Sequence, residues 1–483
     1  MVISKKTYQA IIIGSGAGCG SLVNTLIENN FDPSEILILE RGIKMPRNSS
    51  AASRFLSTYE NGGVVPCFGK PNIPFALANC VGGGPEINGS LIWKTPYHIQ
   101  KKWFQNYDLP FTEEKFKYFL DFYDKLLEVK NSHISDDHDY ASYLINNASQ
   151  KLNIKCVPAR RSLKFSCCSS NLCAFGSTED LRNTPLNKIL KEHFKEGLKI
   201  IDNISNLNFD FNSNEGPYTL NFKSLDKKFS LTTKRVFLAA GSINSPLLLT
   251  KIKKNPYKKF RIKFHINLKS IGILQNRTPE VPGTMFSAQV QEYETDDQYI
   301  MPFNWHKAHV ATILDRHKKD IDFDYIFAHG LGITSQVSTI KTESLMHVLN
   351  SPSKTFKLIT HQILNEAKNI AAIKEIMERT YNIFKELEIK NVLGPIKNSP
   401  ILSIEKSLDQ ITNNKKDLDM LSVHHMASLP IGGDDIKNDG SIKGFPNIYV
   451  ADASILPTAV GESPQLTIMA FVSSLYSRIK PIT

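Results

Sequence analysis

Short apolar runs near the beginning of the chain alternate with helical patterns. Residues 8–13 and 36–39 are runs rich in Ile and Leu, with the length and composition typical of strands buried on both faces. A helical pattern over residues 21–29 separates them, and a further apolar run over residues 234–240 leads into another helical pattern. Strands that alternate with helices form parallel sheets covered by helices, so the pattern predicts an α/β fold.

The middle of the chain follows a different pattern. Residues 260–274 and 284–293 alternate apolar and polar positions, which predicts strands. A stripe of apolar residues spaced by three and four predicts a long helix packed on the core, and it consists of Ile363, Ala367, Ile370, Ile373, Met377, Tyr381, Phe384 and Leu387.

Composition and charge narrow the class of protein. The 483 residues are 41% hydrophobic and 22% charged, as in ordinary globular proteins. A net charge of +11 would suit an anionic partner, but the basic residues are spread along a Lys-rich chain, so we expect no nucleic-acid partner. We expect a cytoplasmic protein without an integral membrane segment, because residues 1–6 lack a secretory signal and no apolar run approaches the roughly 18 residues that span a bilayer.

A glycine-rich turn lies between the first apolar run and its helical pattern. In a dinucleotide-binding turn, the first glycine permits the tight bend and the second lets the backbone approach a pyrophosphate at the helix N-terminus. The third glycine of the G-x-G-x-x-G pattern would stand at position 19, where this chain has Cys19. We assign the turn to cofactor binding through Gly14, Ser15, Gly16, Ala17 and Gly18.

The second apolar run is followed by Glu40 and Arg41. An acid at this distance from the glycine-rich turn accepts hydrogen bonds from the hydroxyl groups of a ribose. A carboxylate here argues against a ligand with a 2′-phosphate, and it therefore favours FAD or NAD over NADP. We assign both residues to cofactor binding.

Two more segments predict a close approach of the backbone to a ligand. The first contains three consecutive glycines, for which a plain flexible turn is the alternative explanation. The second ends the apolar run over residues 234–240 and precedes a helical pattern. We assign both segments to cofactor binding through Gly82, Gly83, Gly84, Asn88, Gly89, Ala240 and Gly241.

Together with a C-terminal block of the form Asp-Ala-Ser-x-x-Pro at residues 452–457, these segments resemble the glucose-methanol-choline (GMC) family of FAD-dependent oxidoreductases. The matching patches are scattered from residue 8 to residue 475. The resemblance implies FAD as the cofactor and an α/β, Rossmann-like FAD-binding domain formed by residues 1–264 and 412–483. It also implies an inserted α+β substrate-binding domain, built on an antiparallel sheet, formed by residues 265–411.

The resemblance places the C-terminal block at the cofactor. Asp452 and Ala453 correspond to the segment that passes the ribityl chain and the pyrophosphate of FAD. A helix that begins near Pro464 and Thr467 would direct the positive end of its dipole at the pyrimidine end of the flavin, where negative charge develops on reduction.

The activity that the resemblance implies is the oxidation of a primary or secondary alcohol to an aldehyde or ketone. A base removes the hydroxyl proton while a hydride passes to flavin N5, and histidine suits this step because its ordinary pKa of about 6.5 lies near neutral pH. His424 occupies the family's base position. His425 is the alternative, because adjacent side chains of an extended segment point to opposite faces.

The family's second catalytic position, usually Asn or His, falls on Ser463 in this chain. A serine hydroxyl donates or accepts hydrogen bonds but is no base at neutral pH, so this departure leaves proton transfer to the histidine alone. The neighbouring Glu462 is expected to be a surface residue.

The expected substrate is a small-molecule alcohol, and family habit favours a sugar, a polyol or a sugar-containing metabolite. The electron acceptor stays open between oxygen, a quinone and a carrier protein. Two other functions compete with alcohol oxidation: a lyase or decarboxylase on the same fold, and a flavin-binding protein that has lost catalysis.

A cysteine cluster, Cys167, Cys168 and Cys173, suggests either a metal knuckle or a packed loop. Its three cysteines lack the paired C-x2-C spacing of a metal site, so we expect no metal.

Overall fold

A computed structural model describes residues 7–46, 49–164, 181–211, 214–279, 286–303, 305–318, 320–338, 344–351 and 355–482. The strands are β1 (Thr7–Ile13), β2 (Ile36–Leu39), β3 (Val65–Phe68), β4 (Ile73–Phe75), β5 (Lys130–Asn131), β6 (Cys156–Pro158), β7 (Arg160–Arg161), β8 (Lys199–Ile201), β9 (Ile204–Phe211), β10 (Tyr218–Ser224), β11 (Lys227–Leu238), β12 (Tyr257–Arg261), β13 (Lys263–Phe264), β14 (Ile266–Ile273), β15 (Ala288–Val290), β16 (Gln298–Pro302), β17 (Gly330–Val337), β18 (Leu345–Asn350), β19 (Thr355–Thr360), β20 (Asn391–Leu393), β21 (Leu402–Ser403), β22 (Met420–Leu421), β23 (His425–Met426), β24 (Ser441–Ile442) and β25 (Phe445–Val450). The helices are α1 (Ala17–Glu28), α2 (Ala51–Thr58), α3 (Tyr97–Asn106), α4 (Glu113–Leu126), α5 (Tyr140–Lys151), α6 (Lys191–Lys195), α7 (Gly241–Ile252), α8 (Lys307–Leu314), α9 (Phe323–His329), α10 (Ala367–Glu386), α11 (Ile404–Asn413) and α12 (Gln465–Tyr476).

The first sheet forms around β1 and contains eight strands. Its order is β24-β25-β11-β1-β2-β8, and β10 and β9 extend it from β11. The strands β25, β11, β1, β2 and β8 are parallel, and every residue of β2 is fully buried. The predicted α/β fold class is confirmed, and the predicted strands at residues 8–13 and 36–39 are β1 and β2.

The order of the parallel strands creates a crevice at the centre of this sheet. The chain leaves β1 towards β2 on one side, and β11 lies on the other side of β1. At such a switch point the connections leave in opposite directions, so a ligand can enter beyond the carboxyl ends of the strands. Because β25 pairs with β11, the segment that follows β25 reaches the same crevice.

Helices α1, α4 and α12 pack against one another beside this sheet. Buried hydroxyl groups join the three helices, because Thr25 Oγ1 donates a hydrogen bond to Ser473 Oγ at 2.7 Å and the Tyr123 hydroxyl lies 2.6 Å from the same oxygen. No helix in the described ranges combines the length and the apolar composition needed to cross a bilayer.

A second eight-stranded sheet has the order β21-β20-β14-β17-β16-β15-β6, with β22 paired to β14, and all of its pairs are antiparallel. Helix α10 packs on one face, where Ser335 Oγ on β17 lies 2.6 Å from Thr380 Oγ1. The long helix predicted from the apolar stripe is therefore confirmed as α10. The opposite face of the sheet is turned to the crevice.

The prediction of simple strands over residues 260–274 and 284–293 is wrong in detail. The first stretch divides into β12, β13 and β14, which belong to three different sheets, and among the described residues 286–293 of the second stretch only 288–290 form a strand. Strand β12 joins β18, β19, β3 and β4 in a five-stranded sheet, and β13 pairs with β23. Short breaks in one alternating stretch thus redirect the chain between sheets.

The division into residues 1–264 with 412–483 and residues 265–411 stays a prediction. The antiparallel sheet takes most of its strands from the proposed insertion, but β6 and β22 come from outside it. Conversely, β18 and β19 lie within the proposed insertion and pair with β3 and β12 outside it.

Candidate active site

A cavity of about 750 Å³ lies between the crevice of the parallel sheet and the inner face of the antiparallel sheet. All the residues proposed from the sequence as catalytic or cofactor-binding line this cavity except Gly82 and Thr467. The structure therefore brings together segments that are separated by more than 400 residues in the chain.

The glycine-rich turn is held by close contact with two other strands. A Cβ atom added to Gly14, which has a φ of +104°, would lie closer than 3.0 Å to the backbone of Ala239. A Cβ atom on Gly18 would approach the carbonyl group of Ala451 equally closely. A Cβ atom on Gly16 would have no neighbour within 4 Å, because this residue faces the cavity. The turn thus combines tightly packed glycines with one that leaves room for a ligand.

Position 19 has no need of a glycine. Cys19 is fully buried, and burial raises the pKa of its thiol well above the ordinary value. The close contact of α1 occurs instead at Gly20, where an added Cβ atom would collide with the side chain of Pro185. The departure from the G-x-G-x-x-G pattern moves the tight helix contact by one residue.

Glu40 holds the glycine-rich turn in place. Its carboxylate accepts hydrogen bonds from the Ser15 backbone N–H (3.0 Å), the Ser15 hydroxyl (2.7 Å) and the Gly42 N–H (2.7 Å). Burial raises the pKa of Glu40, and these hydrogen bonds oppose that rise. A carboxylate can accept about four hydrogen bonds, so Glu40 keeps capacity for one more at the cavity.

The N-terminus of α1 is open to the cavity. The helix begins after Gly16, which supplies no side-chain cap, so its first N–H groups are suited to an anion. The glycine segment over residues 82–84 packs against this turn, because a Cβ atom on Gly83 would lie 2.9 Å from the Gly16 Cα atom. Gly82 itself donates its N–H to Ser15 Oγ at 2.9 Å, so it supports the turn from outside the cavity.

Two of the other proposed cofactor residues are tied to neighbours at the cavity wall. The Arg41 guanidinium forms an ion pair with Glu60 at 2.6 Å. The Asn88 side chain donates a hydrogen bond to Gln465 Oε1 at 2.9 Å and accepts one from the Ser90 N–H at 2.8 Å. Gly89, Gly84, Ala17, Ala240, Ala453 and Pro464 also line the cavity.

Asp452 is a structural carboxylate at the cavity. It accepts hydrogen bonds from the Gly241 N–H (2.9 Å), the Ser245 hydroxyl (2.5 Å), and both the N–H and hydroxyl of Ser454 (2.8 and 2.5 Å). These bonds join the start of α7 to the segment after β25, so Gly241 and Asp452 are held side by side. Thr467 lies outside the cavity, where its hydroxyl is 2.8 Å from the Thr95 hydroxyl.

Both proposed catalytic histidines line the cavity, but their surroundings differ. The His424 ring lies across from His265, with the two Nδ1 atoms 3.2 Å apart. The His425 ring lies against Phe75, with ring centroids 4.2 Å apart, and its Nε2 atom has no hydrogen-bond partner among the described residues. Burial lowers the pKa of His424 to about 4 and that of His425 to about 3. Both imidazoles are therefore neutral at pH 7.

Ser463 also lines the cavity and donates its hydroxyl hydrogen to the Leu91 carbonyl oxygen at 3.1 Å. The expectation that the adjacent Glu462 is a surface residue is wrong, because only 4% of Glu462 is exposed. Its Oε1 atom accepts a hydrogen bond from Gln289 at 2.6 Å. Burial raises the pKa of Glu462 from 4.5 to about 8. The packing of the antiparallel sheet against this segment was not visible in the sequence.

Replacing Glu462 with glutamine is expected to raise the free energy of unfolding at pH 8 by at least about 1 kcal/mol, with little change at pH 4. The folded protein keeps the Glu462 proton up to about pH 8, whereas the unfolded chain releases it near pH 4.5. The free energy of unfolding therefore falls as the pH rises from about 4.5 to about 8. Glutamine cannot ionise, so its substitution for Glu462 removes this fall. Denaturant unfolding at both pH values measures the effect.

The exposed Glu388 serves as the control, because its replacement by glutamine should change stability equally little at both pH values. An equal effect of the Glu462→Gln substitution at pH 4 and pH 8 would contradict the assigned pKa.

Sequence reasoning missed the polar face of the antiparallel sheet. Asn267 and Lys269 on β14 are paired with Gln336 and Thr334 on β17, and these side chains share one face because alternate residues of a strand point the same way. All four line the cavity. The signal was present in β14, where Asn267 and Lys269 alternate with Ile266 and Leu268.

The described residues hold no cluster of metal-binding side chains. Cys167, Cys168 and Cys173, for which a metal knuckle and a packed loop were weighed, lie outside the described residues.

Comparison with known proteins places the chain among flavin enzymes. Residues 55–252 and 343–471 match two models of the GMC oxidoreductase family. The GMC-type oxidoreductase y4nJ of Sinorhizobium fredii is 20% identical, with 96% of this chain and 92% of that protein covered. The long-chain-alcohol oxidase FAO1 of Arabidopsis thaliana is 21% identical, with coverage of 98% and 67%.

Solved structures share the fold over nearly the whole chain. An FAD-dependent oxidoreductase from Chaetomium thermophilum superposes with a TM-score of 0.68 at 12% identity, covering 97% of this chain and 98% of that one. Pyridoxine 4-oxidase from Mesorbium loti gives a TM-score of 0.67 at 12% identity, with 98% of both chains covered. The family and these neighbours imply FAD. The chain belongs to the GMC oxidoreductase family, an enzyme family of the flavin-dependent alcohol oxidoreductase class.

Proposed function

We propose that this protein binds FAD and oxidises a primary or secondary alcohol to an aldehyde or ketone, with His424 as the base. The observation that carries the proposal is that a neutral histidine, the glycine-rich turn and the open N-terminus of α1 line the same cavity. The names of the alcohol oxidase relatives agree with this class of reaction.

The residues present fit FAD. Gly16 offers backbone without a side chain at the helix N-terminus, as binding of a pyrophosphate requires. Glu40 has a remaining hydrogen-bond position for a ribose hydroxyl. Gly241 and Ala453 line the cavity near the N-terminus of α7. Bound FAD would supply the hydride acceptor. The chain's own residues hold the cofactor, orient the alcohol and accept its proton.

His424 is suited to accept the hydroxyl proton through Nε2. The two facing Nδ1 atoms of His424 and His265 can share one hydrogen, and neutral His265 can accept it because its pKa lies well below the ordinary value through burial. When His424 Nδ1–H donates to His265, the lone pair of His424 Nε2 is left for the substrate. His265 would thus select the tautomer that acts as a base.

Ser463 is suited to position the alcohol rather than to take its proton. Its hydrogen is committed to the Leu91 carbonyl oxygen, so the remaining lone pairs can accept a hydrogen bond from a second polar group of the substrate, since His424 takes the hydrogen of the reacting hydroxyl. His425 lies against Phe75 on β4, where its ring packs as an aromatic side chain. This packing favours His424 over His425 as the base.

The FAD-loaded protein is expected to lose its flavin absorbance at about 450 nm when a substrate alcohol is added without oxygen. The panel should include sugars, polyols and straight-chain alcohols, with the corresponding alkanes and methyl ethers as controls. Product aldehyde or ketone should appear in equal amount to the reduced flavin. Absence of bleaching across the panel would favour the flavin-binding protein without catalysis, and product without net reduction would favour the lyase.

Readmission of oxygen, or addition of a quinone, then identifies the electron acceptor. An acceptor that restores the flavin absorbance within the turnover time is competent, and restoration by neither would favour a carrier protein.

A further inference from the structure

The polar face of the antiparallel sheet carries a half-buried lysine at the cavity. Lys269 on β14 contributes to the cavity wall, and its ammonium group lies 2.7 Å from His309 Nε2 on α8. The His309 pKa lies well below the ordinary value, chiefly through burial and then through Lys269, so its neutral ring accepts a hydrogen bond from Lys269. His309 therefore orients the lysine without neutralising it.

No carboxylate in the described ranges lies within ion-pair distance of Lys269. The nearby Asp419 already accepts two hydrogen bonds from Arg316, at 2.9 and 3.0 Å. When Lys269 is protonated, one positive charge among Lys269, Arg316 and Asp419 is thus left without a counter-charge. Burial first, and then Arg316 against the opposing effect of Asp419, lower the pKa of Lys269 to about 7. An anion beside the ammonium group would offset this cost of its charge.

A second donor lies beside Lys269. Asn267 is two residues earlier on the same face of β14 and lines the cavity, and its Nδ2 atom is buried without a hydrogen-bond partner among the described residues. Only 6% of Asn267 is exposed. Thr334 on β17 is paired with Lys269, and its hydroxyl is a third donor at the cavity wall. Ammonium, amide and hydroxyl donors together match the acceptor oxygens of a carboxylate.

We propose that Lys269, with Asn267 and Thr334, binds a carboxylate group of the substrate, so that the alcohol oxidised in this cavity is a hydroxy acid. This inference deepens the proposed alcohol oxidation and rests on it for the fate of the hydroxyl group. Binding of the carboxylate itself depends only on the sheet face.

The strand also sets the length of the substrate. His265, which contacts His424, is four residues before Lys269, and four residues of extended chain span about 13 Å. This backbone span changes by several ångströms with the direction of the lysine side chain. The substrate therefore needs several bonds between its hydroxyl carbon and its carboxylate. Hydroxy acids of medium length with a terminal hydroxyl, and (hydroxymethyl)benzoate, have this spacing.

The binding experiment uses carboxylates that cannot be oxidised at an alcohol. FAD-loaded protein is titrated calorimetrically with butanoate, hexanoate, octanoate and benzoate, and with the corresponding neutral amides. We expect at least one carboxylate to bind about tenfold or more tightly than its amide, as loss of a charge-assisted hydrogen bond implies. This comparison needs no variant, so it remains decisive if a substitution prevents folding.

Three variants assign the effect to Lys269. The Lys269→Met protein should lose about tenfold or more of its carboxylate affinity and keep its amide affinity. The Lys269→Arg protein keeps the charge and should retain most of the preference for the acid. The Lys374→Met protein is the control, because Lys374 is exposed on α10. FAD content and thermal unfolding are measured for each variant.

The result that overturns the proposal is equal binding of acid and amide by the unaltered protein, or an unchanged acid preference in folded Lys269→Met protein. A series in which no carboxylate binds overturns it as well. Anaerobic bleaching by hydroxy acids and by neutral alcohols then separates the two ideas. Bleaching by neutral alcohols without a Lys269-dependent acid preference rejects the subsite and retains alcohol oxidation. Lys269-dependent carboxylate binding without bleaching by any alcohol retains the subsite and rejects the oxidation.

Discussion

Replacing His424 with alanine is expected to slow anaerobic flavin reduction by about 10²–10⁴-fold, while the protein keeps its FAD. The substitution removes the group that accepts the hydroxyl proton, so a hydride can leave only from an alcohol that still carries its proton. The loss should appear in the rate of reduction and only slightly in substrate binding. Stopped-flow absorbance with saturating alcohol measures both quantities.

The pH dependence of the unaltered enzyme gives a second measurement on the same group. Because burial lowers the pKa of His424 to about 4, its base form is present throughout the neutral range. Protonation on acidification below that value would abolish its function as a base. We therefore expect the reduction rate to be limited by His424 ionisation only below about pH 5.

The matched control is His425→Phe. This substitution keeps an aromatic ring against Phe75, so the reduction rate should remain within a few-fold of the original. A His424→Ala protein with an unchanged rate, together with a slow His425→Phe protein, would make His425 the base.

Alanine at Gly18 and alanine at Gly16 are expected to affect stability very differently. A Cβ atom at Gly18 would overlap the Ala451 carbonyl group, and neither backbone can move without separating α1 from the segment after β25. We expect the free energy of unfolding to fall by about 3 kcal/mol or more. A Cβ atom at Gly16 enters open space, so stability should change by less than about 0.5 kcal/mol.

For FAD affinity the order should be reversed, with the larger loss in the Gly16→Ala protein. The Gly16→Ala protein should fold normally but bind FAD about tenfold or more weakly, because the added methyl group occupies the approach to the helix N-terminus. Chemical unfolding of the apoprotein and fluorescence titration with FAD measure the two effects separately. Full FAD affinity in a folded Gly16→Ala protein would remove this turn from the cofactor site.

Much of the fold was predictable because its determinants are local. The apolar runs of β1 and β2 are long enough to specify buried strands, and the spacing of the α10 stripe specifies a long helix. The glycine-rich turn could be located because glycines at close backbone contacts leave a pattern in the sequence. The details of the turn could not be predicted, because its contact partners Pro185 and Ala451 are far away in the sequence.

The parts that could not be predicted depend on contacts between distant segments. Glu462 appears in the sequence as one carboxyl group near a proline, and only the packing of Gln289 against it reveals a buried acid. His265 lies in an alternating stretch with no motif, yet it faces His424. Lys269 was one lysine among many until β14 and β17 placed it on the cavity wall.

The pairing of β25 with β11 has a consequence for how the protein is made. Three contacts require residues beyond 445. Ala451 contacts Gly18, Asp452 accepts a hydrogen bond from Gly241, and Ser473 is buried between α1 and α4. During synthesis the N-terminal turn therefore leaves the ribosome long before the strand and helix that complete it. The nucleotide crevice is complete only once residues beyond 445 have been synthesised, and a product terminated before them would lack one wall of it.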